Sequence, residues 1–148
     1  MKPLRLPAGN FRVKSTEKGR AIFDPIRKKF VHLTPEEWVR QHVVLFLLSR
    51  KRIPQNLINI EKQLIIAGTT KRYDIISYNT DGSIHLVIEC KAPEIKIDQS
   101  VFDQIARYNL ALNAQYLMVT NGMDHYFCTM DYDKQTYNFI PDLPEYVL

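Results

Sequence analysis

Residues 71–93, KRYDIISYNTDGSIHLVIECKAP, decide the fold. Two runs rich in β-branched residues, Arg72–Asn79 and Ser83–Lys91, flank Asp81-Gly82. An Asp-Gly in that setting predicts a tight hairpin, because a type I′ turn needs positive φ at both central positions. A two-residue loop makes Thr80 face Ser83, Ile76 face Val87 and Asp74 face Glu89. Lys91, two residues beyond Glu89, points to the same face as Glu89. Ile75, Ile76, Leu86, Val87 and Ile88 supply apolar side chains to both faces, as in a central strand of a covered sheet.

Opposed carboxylates, with Cβ atoms roughly 4.5–5.5 Å apart, repel one another. A raised pKa, a lysine or a hard cation could each neutralise them. Spacing alone leaves two readings of Asp74, Glu89 and Lys91 open: a structural ion-pair network, or a cation site. Mg²⁺ takes oxygen ligands and keeps waters, one of which can become a nucleophile, and a nearby ammonium can orient it.

Upstream, Leu57–Ile66 reads as a strand joined through Ala67-Gly68, and Thr34 opens a helix over about 35–50. Thr34 is a hydroxyl N-cap, Pro35 takes the first helical position, and Glu37 completes a capping box. The cluster Arg50-Lys51-Arg52 suits the helix's C-terminal dipole and is a weaker candidate for phosphate contact than Lys71-Arg72, which lead directly into Asp74. Trp38 is expected to pack this helix on the sheet. Before it, Arg20 to Phe23 and Lys29 to Leu33 form a hairpin about Asp24-Pro25, and residues 1–18 are expected to be a loose arm. Downstream, a helix over about 99–112 crosses to a parallel strand at Gln115–Thr120. Short aromatic strands at 125–130 and 136–140 lead to a tail at 141–148. The expectation is one α/β domain over 1–148: a mixed sheet, antiparallel meander plus parallel crossover, flanked by helices.

The chain has 148 residues and a net charge of +4. Residues 1–72 carry +11 and residues 73–148 carry −7. A basic half suits a polyanion such as nucleic acid, and an acidic half inside the same domain suits a cation. The longest apolar run, Val43 to Leu48, is far short of the roughly 20 residues a membrane helix needs. The N-terminus lacks the apolar core of a secretory signal. Cys90 and Cys128 are too isolated for a disulfide framework or a thiolate zinc site, and a cytoplasmic location is expected. The four histidines show no metal-ligand spacing, and the aromatic C-terminal strands read as sheet packing.

Tyr-Asp at 73–74 followed by Glu-Cys-Lys at 89–91 resembles the PD-(D/E)xK nuclease signature. With LTPEEWVRQ at 33–41, DQIARYN at 103–109 and VTNG at 119–122, the chain resembles the N-terminal nuclease domain of type I restriction enzyme R subunits over roughly residues 20 to 130. The resemblance implies a restriction-endonuclease-like fold and Mg²⁺-dependent (or Mn²⁺-dependent) hydrolysis of DNA. It assigns Asp74, Glu89 and the main-chain carbonyl of Cys90 as metal ligands and Lys91 as the catalytic lysine. Glu37 matches the acidic residue that many members place on the first helix, so ligand and helix cap both stay open for it. Gln104 and Tyr108 match a QxxxY element associated with DNA contact or with orienting the site; four apart, they share one helix face. Lys71 and Arg72 are expected to meet DNA.

Tyr73 stands where the signature's name places proline. R subunits continue into a helicase motor, whereas this chain stops at Leu148 and contains no GxxxxGK[ST] pattern, so a helicase or specificity subunit is expected as a separate partner. The rival expectations are a non-catalytic DNA-binding module and a protein-interaction domain on the same fold.

Overall fold

The β-rich runs of the sequence form two separate sheets in the computed structural model, which describes residues 3–147. Strands β1 (Val13–Thr16), β2 (Gly19–Asp24) and β3 (Lys29–His32) make a small antiparallel sheet. Helix α1 (Pro35–Ser49) follows. Strands β4 (Ile58–Ile66), β5 (Thr69–Tyr78) and β6 (Ile84–Cys90) then run as an antiparallel meander. Helix α2 (Gln99–Asn109) and one 3₁₀ turn carry the chain to β7 (Tyr116–Thr120), which lies parallel to β6. Strands β8 (His125–Asp131) and β9 (Thr136–Ile140) complete a six-stranded sheet in sequential order. One parallel pair among antiparallel neighbours is the mixed α/β sheet that the sequence implies.

Alternation along β6 explains why its centre, Leu86, Val87 and Ile88, is apolar on both faces. Leu86, Ile88 and Cys90 join a core with Val39, Val43 and Leu47 of α1, while Val87 joins a second core with Phe102 and Ala106 of α2. Side chains of period two thus meet a helix on each face. Phe102 also packs on Tyr126, Tyr137 and Phe139, so the C-terminal aromatics serve the sheet's packing.

The β5–β6 turn is one residue longer than the sequence reading has it. The Asn79 amide donates to the Ser83 carbonyl (2.8 Å), the Gly82 amide donates to the Asn79 carbonyl (3.0 Å), and Gly82 sits at φ 89°, a conformation glycine adopts without penalty. A three-residue loop alone would slide Asp74 away from Glu89. A bulge takes up the extra residue: Tyr78 pairs with Ile84 but Ser77 with Leu86, leaving His85 unpaired on β6. Beyond the bulge, Ile76 faces Val87 and Ile75 faces Ile88, so the register near the carboxylates is the expected one although the turn is not.

The expected loose arm is tied down over its described part. Val13–Thr16 is the edge strand β1, and the Arg5 amide donates to the Gly122 carbonyl at 2.8 Å. Residues 1, 2 and 148 lie outside the described set. Trp38 packs beside Phe11 and His42, at ring distances of 5.4 and 4.4 Å. In the basic cluster after α1, Lys51 Nζ pairs with Asp142 (2.8 Å) and donates to the Leu143 carbonyl (2.7 Å). Arg52 pairs with Glu145. Leu143 is buried, so these bonds hold the C-terminal segment against the α1-side core. Lys51→Ala is expected to cost about 2 kcal/mol, read as a lower melting temperature, and to open residues 141–147 to limited proteolysis.

Candidate active site

The sheet splits at Asp74. Strand β5 pairs with β4 from Ser77 to Ile75 and again from Tyr73 to Thr69, skipping Asp74, while its ladder with β6 ends at Ile75↔Ile88. Glu89 and Cys90 continue instead beside Val119 and Thr120 of β7. In the opening, the Cys90 amide donates to Asp74 Oδ2 at 2.7 Å, so a side-chain carboxylate satisfies a backbone donor that has lost its neighbouring strand on that side. The Cys90 side chain is fully buried in the α1-side core. The Lys91 amide donates a hydrogen bond to the Thr120 carbonyl (2.8 Å), and the Lys91 Nζ lies 3.8 Å from Glu89 Oε1.

Negative charge is crowded here. Burial, and then the neighbouring Asp74 carboxylate, push the Glu89 carboxyl up to about 7 against the opposing attraction of Lys91. Burial also raises Asp74, opposed by the Cys90 amide, Arg40 and Lys91. Glu36 is raised as well, by burial and by Asp74, which puts its carboxylate in the same field.

Glu37 is engaged elsewhere. Its Oε1 accepts from Arg27 Nη2 (2.8 Å) and Arg40 Nη1 (2.7 Å), and its Oε2 from Gln41 Nε2 (3.0 Å). The capping box is half formed: Thr34 Oγ1 accepts from the Glu37 amide, while the Glu37 side chain turns to the arginines. The reciprocal cap anticipated for that side chain does not form. Glu37 anchors a buried network in which Arg40 reaches Asp74 Oδ1 (3.3 Å), and Arg27 reaches Asp24 and Glu61. Sequence reasoning missed Glu36 and Arg40. Their four-residue spacing on α1, which puts both on one helical face, was the available signal.

Other anticipated residues meet at one cleft of about 350 Å³, lined by Arg72, Glu89, Lys91, Gln104 and Tyr108 among others. Tyr108 is half-exposed, and Lys71 Nζ lies 4.7 Å over its ring, within cation–π range. Arg72 is bonded to Glu61 (2.9 Å), so it reaches the cleft already paired.

Among the described residues, no three His, Cys, Asp or Glu side chains form a ready-made metal cluster. The donor chemistry nevertheless fits Mg²⁺. The acids present are hard oxygen donors whose mutual repulsion a cation would relieve, and Mg²⁺ is commonly held by only one or two carboxylates, with water filling the remaining positions.

A mixed sheet that parts at an Asp, with a Glu-x-Lys on the next strand and a helix-borne Gln and Tyr over the opening, defines a nuclease-like domain of the restriction-enzyme kind. The chain belongs to the family described as type I restriction enzyme R protein N terminus, whose model matches residues 35–144. None of the curated proteins matches it significantly. No helix among the described residues is long and apolar enough to cross a membrane.

Two predictions test these electrostatics. Arg40→Met strands the buried Asp74 charge and is expected to cost about 3 kcal/mol of stability, measured by urea unfolding. For Glu89, a raised folded-state pKa means stability is full below the ordinary carboxylate range and is lost as pH rises through about 7. Glu89→Gln removes that loss. Without divalent metal, its melting temperature relative to the wild type is therefore expected to climb between pH 5 and pH 8.

Proposed function

We propose that the chain is a metal-dependent DNA phosphodiester hydrolase. The observation that carries this reading is the convergence of Glu89, Lys91, Gln104, Tyr108 and Arg72 on one cleft, beside an Asp74 carboxylate in electrostatic contact with Glu89. Asp74 and Glu89 would hold a divalent cation, Mg²⁺ or Mn²⁺, with the Cys90 carbonyl as a third oxygen. Such an ion supplies charge neutralisation at the scissile phosphate and lowers the pKa of water. The ammonium of Lys91, at the cleft wall, orients the attacking water and offsets charge that develops on the phosphate. Lys71 and Arg72 meet the phosphate backbone, and Gln104 and Tyr108 steady the strand being cut. The Asp74–Cys90 bond keeps the first ligand fixed before substrate arrives, so little reorganisation is needed.

The family suggests DNA and other subunits as partners, and a helicase or specificity subunit would deliver the DNA. A second reading, a DNA-binding module without catalysis, has one observation in its favour, since the Arg40 guanidinium partly neutralises Asp74 without any metal ion.

The test is incubation of the purified chain with supercoiled, linear and single-stranded DNA plus Mg²⁺ or Mn²⁺. Cleavage is expected, with a loss of at least 100-fold, on the order of 3 kcal/mol of barrier, in Lys91→Ala and Asp74→Asn. Metal-independent DNA binding without cleavage would support the second reading, and cleavage that survives both substitutions contradicts the site.

A further inference from the structure

The small sheet β1–β3 precedes the region matched by the family and takes no part in the chemistry above. Its surface is strongly basic. Arg12, Lys14, Lys18, Arg20, Lys28 and Lys29 are all exposed, against one exposed acid, Glu17. None of these cations forms a salt bridge among the described residues, whereas Arg27, Arg40, Lys51, Arg52, Arg72 and Lys91 all do. Unpaired like charges gathered on one small sheet add their fields and raise the local potential, which attracts a polyanion.

Two of the cations are held in place. Lys14 Nζ lies 4.0 Å from the centroid of the Phe30 ring, and the Arg12 guanidinium lies 4.5 Å from that of Phe23. Seating on a ring restrains a cation but leaves its N–H donors open to a second partner. The register places Phe23 directly opposite Phe30, so these cations and rings share one face.

The sheet is also fixed relative to the cleft. Arg27, in the β2–β3 turn beside Lys28 and Lys29, is bonded to Asp24, Glu37 and Glu61, and Glu61 is bonded in turn to Arg72 at the cleft wall. Two ion pairs through one glutamate therefore join the basic sheet to the proposed cutting site. A polyanion lying in the cleft would find the next array of free cations across this link.

We infer that the β1–β3 sheet is a second binding surface for the DNA phosphate backbone, extending the footprint beyond the cleft and contributing affinity without reading sequence. The inference rests on the proposed DNA substrate, but its test does not depend on cleavage. Phosphate neutralisation releases counterions, and the salt slope falls by about 0.9 for each phosphate that the protein no longer neutralises.

The experiment measures binding of a fluorescent 30-base-pair duplex by anisotropy in EDTA from 20 to 200 mM salt. It compares wild type with the quadruple variant Lys18→Gln, Arg20→Gln, Lys28→Gln, Lys29→Gln. These side chains are exposed and outside the core, and an unchanged melting temperature verifies folding. Affinity at 100 mM salt is expected to fall at least tenfold and the salt slope to shrink by about 2 or more, while Lys28→Arg with Lys29→Arg binds as the wild type does. Equal affinity and slope in wild type and quadruple variant overturn the inference even if the wild type cuts DNA. A wild type that does not bind duplex at 20 mM salt also overturns it. Sheet-dependent binding by a chain that never cuts would uphold it while removing the catalytic reading.

Discussion

A side-chain carboxylate stands in the sheet where a backbone carbonyl would ordinarily stand. Asp74 accepts the Cys90 amide across the opening between β5 and β6, and much of the molecule is arranged around that substitution. It lets the two strands part without leaving a buried N–H unsatisfied. The parting gives Glu89 and Lys91 an open side, and α2, crossing to β7, sets Gln104 and Tyr108 over it. The same bond concentrates negative charge, since it fixes one carboxylate close to another.

That charge is balanced from the far side by arginines. Arg40 is buried, and it spans Glu37 and Asp74. Removing a single member of such a network is costlier than its net contribution suggests, because the partner's charge stays buried. Arg27 carries the network outward to β2 and β4, so the small N-terminal sheet is clamped to the elements that shape the cleft. Glu37, anticipated as a cap or a ligand, is the hub of this clamp.

Strands β2 to β9, both helices and the parallel crossover were legible in the sequence because apolar periodicity and the turn signals agreed there. The spacing of Asp74, Glu89 and Lys91 was legible too, although for a partly mistaken reason: the assumed two-residue turn is a three-residue one, corrected by the bulge at His85. Bulges leave no compositional trace, so this cancellation could not be foreseen. Arg40 and the tail clamp at Lys51 were missed because Arg40–Asp74 and Lys51–Asp142 join residues far apart in the chain, and no local pattern encodes those partners; Glu36 was missed although its four-residue spacing from Arg40 was visible. Strand β1 was missed because its four residues are exposed and lack apolar alternation.

The central claim is that Asp74 and Glu89 form a divalent-cation site at the split in the sheet. Calorimetric titration of Mn²⁺ at pH 7, repeated in buffers of different ionisation enthalpy, tests it most directly. The account predicts one ion per chain with release of about half a proton, because the Glu89 carboxyl, at about 7, is half protonated at this pH and must be ionised to bind. It also predicts that Asp74→Asn and Glu89→Gln abolish the binding. Absence of binding at millimolar Mn²⁺, or binding that both variants retain, would contradict it.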